Sequence, residues 1–136
     1  MTAPVKDTRD MIAGMNPERQ PGIWHFVSFA LGDPAADRLV SSAHATMREP
    51  EGLSLLLSEE VAADQGLLSD LPMAQILLSV HSALDGVGLT AAVAVALADH
   101  GILCNVIAGA RHDHIFVPVD DADRAVEILK VAADNA

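Results

Sequence analysis

The 136-residue sequence has one cysteine, one tryptophan and no tyrosine, and aromatic residues make up only 3% of it. Cys104 has no partner for an internal disulfide, and the apolar run around it makes a reduced, buried thiol the expectation rather than a reactive one. So few aromatics leave almost no platform on which bases can stack, and the core must be filled by Ala, Val, Leu and Ile. Positive charge is scarce too: 8 Lys and Arg stand against 19 Asp and Glu, a formal net charge of -11 that repels nucleic-acid phosphates and anionic lipid. No apolar run approaches the roughly 18 residues needed to cross a bilayer. The opening stretch MTAPVKDTRD lacks the apolar segment of a signal peptide. A cytoplasmic protein is therefore expected, with neither nucleic acid nor membrane as partner.

What the chain does have is apolar surface. Hydrophobic residues account for 51% of the sequence and charged ones for 20%, enough to offset the entropy of ordering the chain. The length suits one domain, or two very small modules sharing a core.

Residues 1–20 mix charge, glycine and proline around an apolar patch at Met11, Ile12 and Met15, which predicts one or two helical turns and then a loop. Ile23 to Leu31 reads as a buried strand closed by Gly32, Asp33 and Pro34, and Ala35 to Ser42 as a short helix. His44 to Arg48 and Leu53 to Leu57 flank the tip REPEG, whose Pro50 and Gly52 predict a hairpin, after which Ser58 is placed to cap a helix running to Gln65. The second half repeats the order. Met73 to His81 reads as a strand, Thr90 to His100 as an Ala-rich helix stopped by Gly101, and Ile102 to Ala108 and Ile115 to Val119 as strands. A last helix runs from Asp120 to Ala133, with Asp120 or Asp121 as its cap.

Aligning SEE at 58–60 with VDD at 119–121 places Leu55 and Leu56 opposite Phe116 and Val117, so the halves read as a diverged repeat. The expected organisation is an N-terminal helical or loop segment at 1–20, a first module at 21–70 and a second at 71–136. The expected class is α+β: two ferredoxin-like βαββα modules forming antiparallel sheet with helices packed on one face. Each half lacks the final strand of a complete unit. The halves must therefore share one sheet or complete it with a second copy, as a homo-oligomer would, because a lone half leaves open sheet edges.

The segment Asp85-Gly86-Val87-Gly88-Leu89-Thr90 joins a strand to a helix start. Two glycines there allow positive φ and close backbone approach, and exposed amides at a helix start suit a carboxylate. A tight turn whose glycines only relieve steric crowding explains the same residues, and the spacing fits neither a dinucleotide nor a P-loop fingerprint. Arg111, His112, Asp113 and His114 form the most polar cluster of the second half. His112 and His114 can share a face, yet a closed zinc site needs four ligands and a catalytic one three. His81, His100 and Cys104 add no compact spacing, so no metal is expected. Asp113 can accept bonds from the turn's own backbone or bind the amino group of a ligand. Arg48, beside Glu49 and Glu51, either reaches a bound carboxylate or forms a solvated tip. No serine lies in a nucleophile elbow and Cys104 lacks an evident His and carboxylate pair, so no catalytic constellation and no cofactor is expected.

The stretch HSALDGVGLTAAVAVALADHGILCNVIAG followed by HDHIFVPV, together with REPEGLSLLL and its acidic helix, resembles the ACT-domain proteins, especially the small bacterial tandem-ACT group. The likeness runs from about residue 22 onward and is strongest over 75–130. That group is related to the ACT modules of aspartate kinases and of the CASTOR arginine sensors. The resemblance implies a regulatory protein that binds a small molecule, an amino acid above all, at an interface between ACT-like modules, and signals to a separate protein. In such modules the loop after the first strand and the neighbouring second strand hold the ligand. The implied positions are Asp85, Gly86, Val87, Gly88 and Leu89 on the loop, and Asn105, Ile107, Ala108 and Gly109 on the strand. Asp113-His114 ahead of Val117 and Pro118 resembles the Asp-His-x-x-Val-Pro stretch of the arginine sensors, which implies a ligand role for Asp113. The alternatives are a structural oligomerisation module without ligand, or a small metal-dependent enzyme using His112, Asp113 and His114.

Overall fold

The computed structural model describes residues 3–136; residues 1 and 2, the start of the expected N-terminal segment, lie outside them. In chain order the elements are α1 (Thr8–Ala13), β1 (Pro17–Arg19), β2 (Trp24–Ala30), α2 (Pro34–Leu39), β3 (Ala45–Glu49), β4 (Gly52–Ser58), α3 (Glu59–Asp64), β5 (Met73–Leu78), α4 (Leu89–Ala98), β6 (Asn105–Ala108), β7 (Asp113–Pro118) and α5 (Ala122–Asp134). The chain is α+β, with two βαββα modules. Gly52 and Asp113, which open corresponding strands, differ in number by 61, the offset of the sequence repeat. Residues up to Pro21 and Ala74–Ala136 form one compact unit (unit 1), and Gly22–Met73 form another (unit 2).

Unit 2 carries the sheet β3-β4-β2, antiparallel throughout. Alternate residues of its strands turn to the helices. Val27 lies opposite Leu55 and Phe29 opposite Leu53, and these pack with Leu57 against Ala36 and Leu39 of α2 and Ala62 of α3. Gly52 opens β4 directly against the end of β2, where any Cβ would collide with the Phe29 carbonyl oxygen, so only glycine lets the hairpin close on that strand. Ser58 caps α3, its hydroxyl accepting from the Val61 amide at 3.3 Å, with Glu59 and Glu60 in the first turn. His25 is fully buried and satisfied at both nitrogens. The Ser69 backbone N–H donates to Nδ1 at 3.1 Å, so the ring proton sits on Nε2 and is donated to Glu59 at 3.2 Å. That pairing ties the loop at residue 69 to the start of α3.

In unit 1, β5 neighbours β7, and β7 pairs antiparallel with β6. Antiparallel β1 also pairs with β5, Pro17 opposite Leu78 and Arg19 opposite Ile76. Where the sequence predicts a loop, residues 17–19 thus supply unit 1 with the strand its βαββα pattern lacks. The helices lie over Ala74, Ile76, Leu78, Ile115 and Val117. Leu89, Val93 and Leu97 come from α4, Ala122, Ala125 and Leu129 from α5, and Met11 and Met15 from the N-terminal segment. The spacing of Met11, Ile12 and Met15 therefore has a destination in this core. At α5 the expected aspartate cap does not form. A 3₁₀ turn, Val119–Asp121, precedes the helix, and the Asp121 carboxylate meets Arg124 at 3.3 Å instead of the helix amides. Among the described residues no helix is long and apolar enough to cross a membrane.

Candidate functional site

The loop between β5 and α4 is built against the N-terminal segment of the same unit. Val5 donates to the His81 carbonyl at 2.7 Å and accepts from the Ala83 amide at 2.8 Å. Lys6 pairs with Asp85 at 2.8 Å, and the Thr8 hydroxyl donates to the Val87 carbonyl at 2.5 Å. Gly86 donates to Ala83, closing a turn, and Gly88 takes φ 108° as the residue that opens α4. A side chain at Gly88 would be strained there, and α4 begins with no side-chain cap on its first-turn amides. Those N–H groups carry the positive end of the helix dipole.

Across the loop, Gly109 donates to the His112 carbonyl at 2.9 Å to close the β6–β7 hairpin, and Asp113 opens β7 opposite Ala108. Together these parts enclose a cleft of about 330 Å³. Gly86, Val87, Gly88, Leu89, Ala108, Gly109 and Asp113 all line it, as do Met11, Ser82, Ala83, Leu84 and Thr90. Asp113 is half-buried, and among the described residues its carboxylate has no hydrogen-bond or ion-pair partner. Partial removal from water raises its pKa above the ordinary carboxylate value, while His114 and His112 pull the other way. The cleft thus joins an uncapped helix start, suited to an anion, to a single acid suited to a cation.

Three of the positions implied by the resemblance lie elsewhere. Asp85 is exposed and engaged by Lys6, which lowers its pKa through a hydrogen bond and its charge. Asn105 is exposed at the far end of β6 opposite Phe116, and Ile107, opposite His114, is absent from the cleft wall. Conversely, Met11 lines the cleft although its only signal in the sequence is an apolar patch in a segment with no evident partner, and Thr8 stands beside the loop with no signal at all. Both use the space the glycines leave: a Cβ on Gly86 would lie 2.8 Å from the Met11 sulfur, and one on Gly88 2.7 Å from Thr8 Cγ2.

The histidines do not assemble a metal centre. His112 Nδ1 donates to the Val80 carbonyl at 3.0 Å, whereas His114 Nδ1 accepts from Gln75 at 2.8 Å. Among the described residues no three His, Cys, Asp or Glu side chains converge to hold a metal.

Comparison with known proteins gives two family matches, both to models described as ACT domain, over residues 3–74 and 71–131. No curated protein matches the sequence. Among solved structures, a Vibrio cholerae protein of unknown function, described as a possible transport protein, is 43% identical, with a TM-score of 0.77 over 89% of this chain and 92% of its own. The regulatory subunit of aspartate kinase from Thermus flavus has a TM-score of 0.64 at 10% identity, over 86% of this chain and 96% of its own. E. coli aspartokinase III in complex with aspartate and ADP has a TM-score of 0.58 at 13% identity, over 85% of this chain and 32% of its own.

Proposed function

The chain belongs to the ACT-domain family of regulatory, ligand-binding modules, and from that premise we propose that unit 1 binds an α-amino acid with a small apolar side chain. The carboxylate sits on the free amides at the start of α4, the ammonium on Asp113, and the side chain against Met11, Ala83 and Val87. The observation that carries this reading is the half-buried Asp113 carboxylate, unpartnered among the described residues, in the same cleft as an uncapped helix start. Burying a carboxylate without a partner is costly, and an ammonium removes that cost. Binding then favours whichever arrangement of the protein holds the cleft in this form, which is how a ligand becomes a regulatory signal for a separate protein.

Calorimetric titration with the twenty amino acids tests the reading. A charge-assisted hydrogen bond contributes roughly 1.5–3 kcal/mol, so Asp113→Asn should weaken the preferred ligand by about 10- to 100-fold. Affinity should also fall as pH drops through the raised Asp113 pKa, and the Asn variant should lose that dependence. Unchanged binding in Asp113→Asn removes the site. One observation favours the second reading, a structural module without ligand: Thr8 and Met11 already occupy the space beside both glycines. That reading predicts no heat and no thermal shift with any amino acid.

A further inference from the structure

In unit 2 three polar side chains from separate elements meet in a line. Ser69 lies in the loop after α3, His25 on β2 and Glu59 at the start of α3, so Ser69 and Glu59 stand 44 and 34 residues from the histidine they share. Ser69 Oγ is 2.9 Å from His25 Nδ1, and His25 Nε2 is 3.2 Å from Glu59 Oε1. The proton positions follow from the neighbours. Nδ1 accepts the Ser69 backbone N–H at 3.1 Å and so presents a lone pair, to which a hydroxyl can only donate. The chain therefore runs from hydroxyl to imidazole to carboxylate, the polarity required of a nucleophile, its general base and the group that orients the base.

Burial is graded along this line. The His25 side chain is 2% exposed, Ser69 is half-buried and the Glu59 side chain is 44% exposed, so the base is shielded from water while the nucleophile can be reached. An imidazolium formed at His25 has little water to solvate it, and Glu59 supplies the balancing charge. The Leu71 amide donates to Ser69 Oγ at 3.3 Å, which favours negative charge growing on that oxygen. The amide of Asp70, next after the serine, has no partner among the described residues and is available to a developing oxyanion. A purely structural tie needs one donor to Nδ1, and the Ser69 amide already provides it; the hydroxyl is the surplus group.

We propose that Ser69 is a nucleophile and that unit 2 hydrolyses small neutral esters. Oγ bonds to the acyl carbon as its proton passes to His25 Nδ1; the bond from that carbon to the alcohol oxygen breaks, and the proton leaves with the alcohol. Water then adds to the acyl carbon and gives a proton to Nδ1, the acid departs, and the proton returns to Oγ. Glu59 is a positioning residue, acting through His25. Leu68, 55% exposed, and Leu71, 43% exposed, flank Ser69 with apolar surface for the acyl group, while exposed Asp70 repels anionic substrates. None of these residues lines the unit 1 cleft, so the inference stands apart from the amino-acid site.

Release of p-nitrophenol from p-nitrophenyl butyrate by the full chain tests it, with peptide mapping of the acylated protein. The expected result is acylation of Ser69 and a rate at least about 100-fold above that of Ser69→Ala, the contribution of one general base. Ser28→Ala, a change at an exposed serine of β2, should match the parent. Glu59→Gln should lower the rate at least about 10-fold at an unchanged melting temperature, with Glu59→Asp partly restoring it. Mono-p-nitrophenyl succinate, an anionic ester, should react more slowly than the butyrate. Acyl groups found only on lysines or other serines, which the parent protein reports without any variant, would overturn the proposal. So would an equal rate in Ser69→Ala or in Glu59→Gln.

Discussion

Asp113, the acid of the proposed site, carries a cost that can be measured. Its pKa is raised above the ordinary 3.8 by partial burial, with His114 and His112 only moderating the effect. The folded state therefore holds the proton more tightly than the unfolded chain. Stability contributed at this position is greatest when Asp113 is protonated, and it declines as pH rises from about the unfolded value through the raised folded one. Asp113→Asn should accordingly unfold at a higher temperature than the parent at neutral pH, with the gap closing below that window. Thermal melts at several pH values check this. A variant that is more stable yet binds less well marks a group retained for its ligand. At the same scale, Gly86 and Gly88 were legible as a bend, but not that Met11 and Thr8 press against them, because nothing local encodes a contact made across some eighty residues of chain.

Among the elements, β1 and α1 carry the consequence least visible beforehand. Three residues, Pro17–Arg19, form too short a run for any alternation to show, and their strand exists because β5 has an edge to be paired. The methionines on either side of α1's end are what hold the segment there, both essentially inaccessible to solvent. Met15→Ala should therefore cost about 2–4 kcal/mol, as truncation of a buried core side chain does. Urea unfolding measures it, and a change below about 0.5 kcal/mol would show that the N-terminal segment is not part of the core of unit 1. The other elements were legible because each announces itself locally. Ser58 caps as its position predicts, and Gly66 and Gly101 follow their helices with positive φ. At α5 the expectation failed for a physical reason: the 3₁₀ turn at Val119–Asp121 leaves φ of Asp121 at -100° and ψ at 0°, not the extended backbone from which a side chain reaches back to cap.

For the whole molecule the dominant quantity is charge. A formal net charge of -11 on 136 residues sets carboxylates against one another over the surface, and the Lys6–Asp85, Arg19–Asp123 and Lys130–Glu127 ion pairs are exposed ones of small value. Raising salt from about 0.01 to 0.15 M, which shortens the screening length from roughly 30 to 8 Å, should raise the melting temperature. A fall instead would mean that specific ion pairs outweigh the general repulsion.

The amino-acid order alone determined the α+β class, the repeat, most helix and strand positions and the ACT-domain likeness, because period, capping residues and turn glycines act within a few positions of themselves. The bend at 86–89 was legible for the same reason, whereas Ala108, Gly109 and Asp113, which share its cleft, coincide with positions that the family resemblance implies. Only the tertiary structure decided that residues 17–19 complete unit 1, that Met11 and Thr8 stand beside the bend, that Asp85, Asn105 and Ile107 do not line the cleft, and that His25 meets both Ser69 and Glu59. Each of these is a pairing of segments far apart in the chain, settled by which exposed edge or gap the folded units leave to be filled.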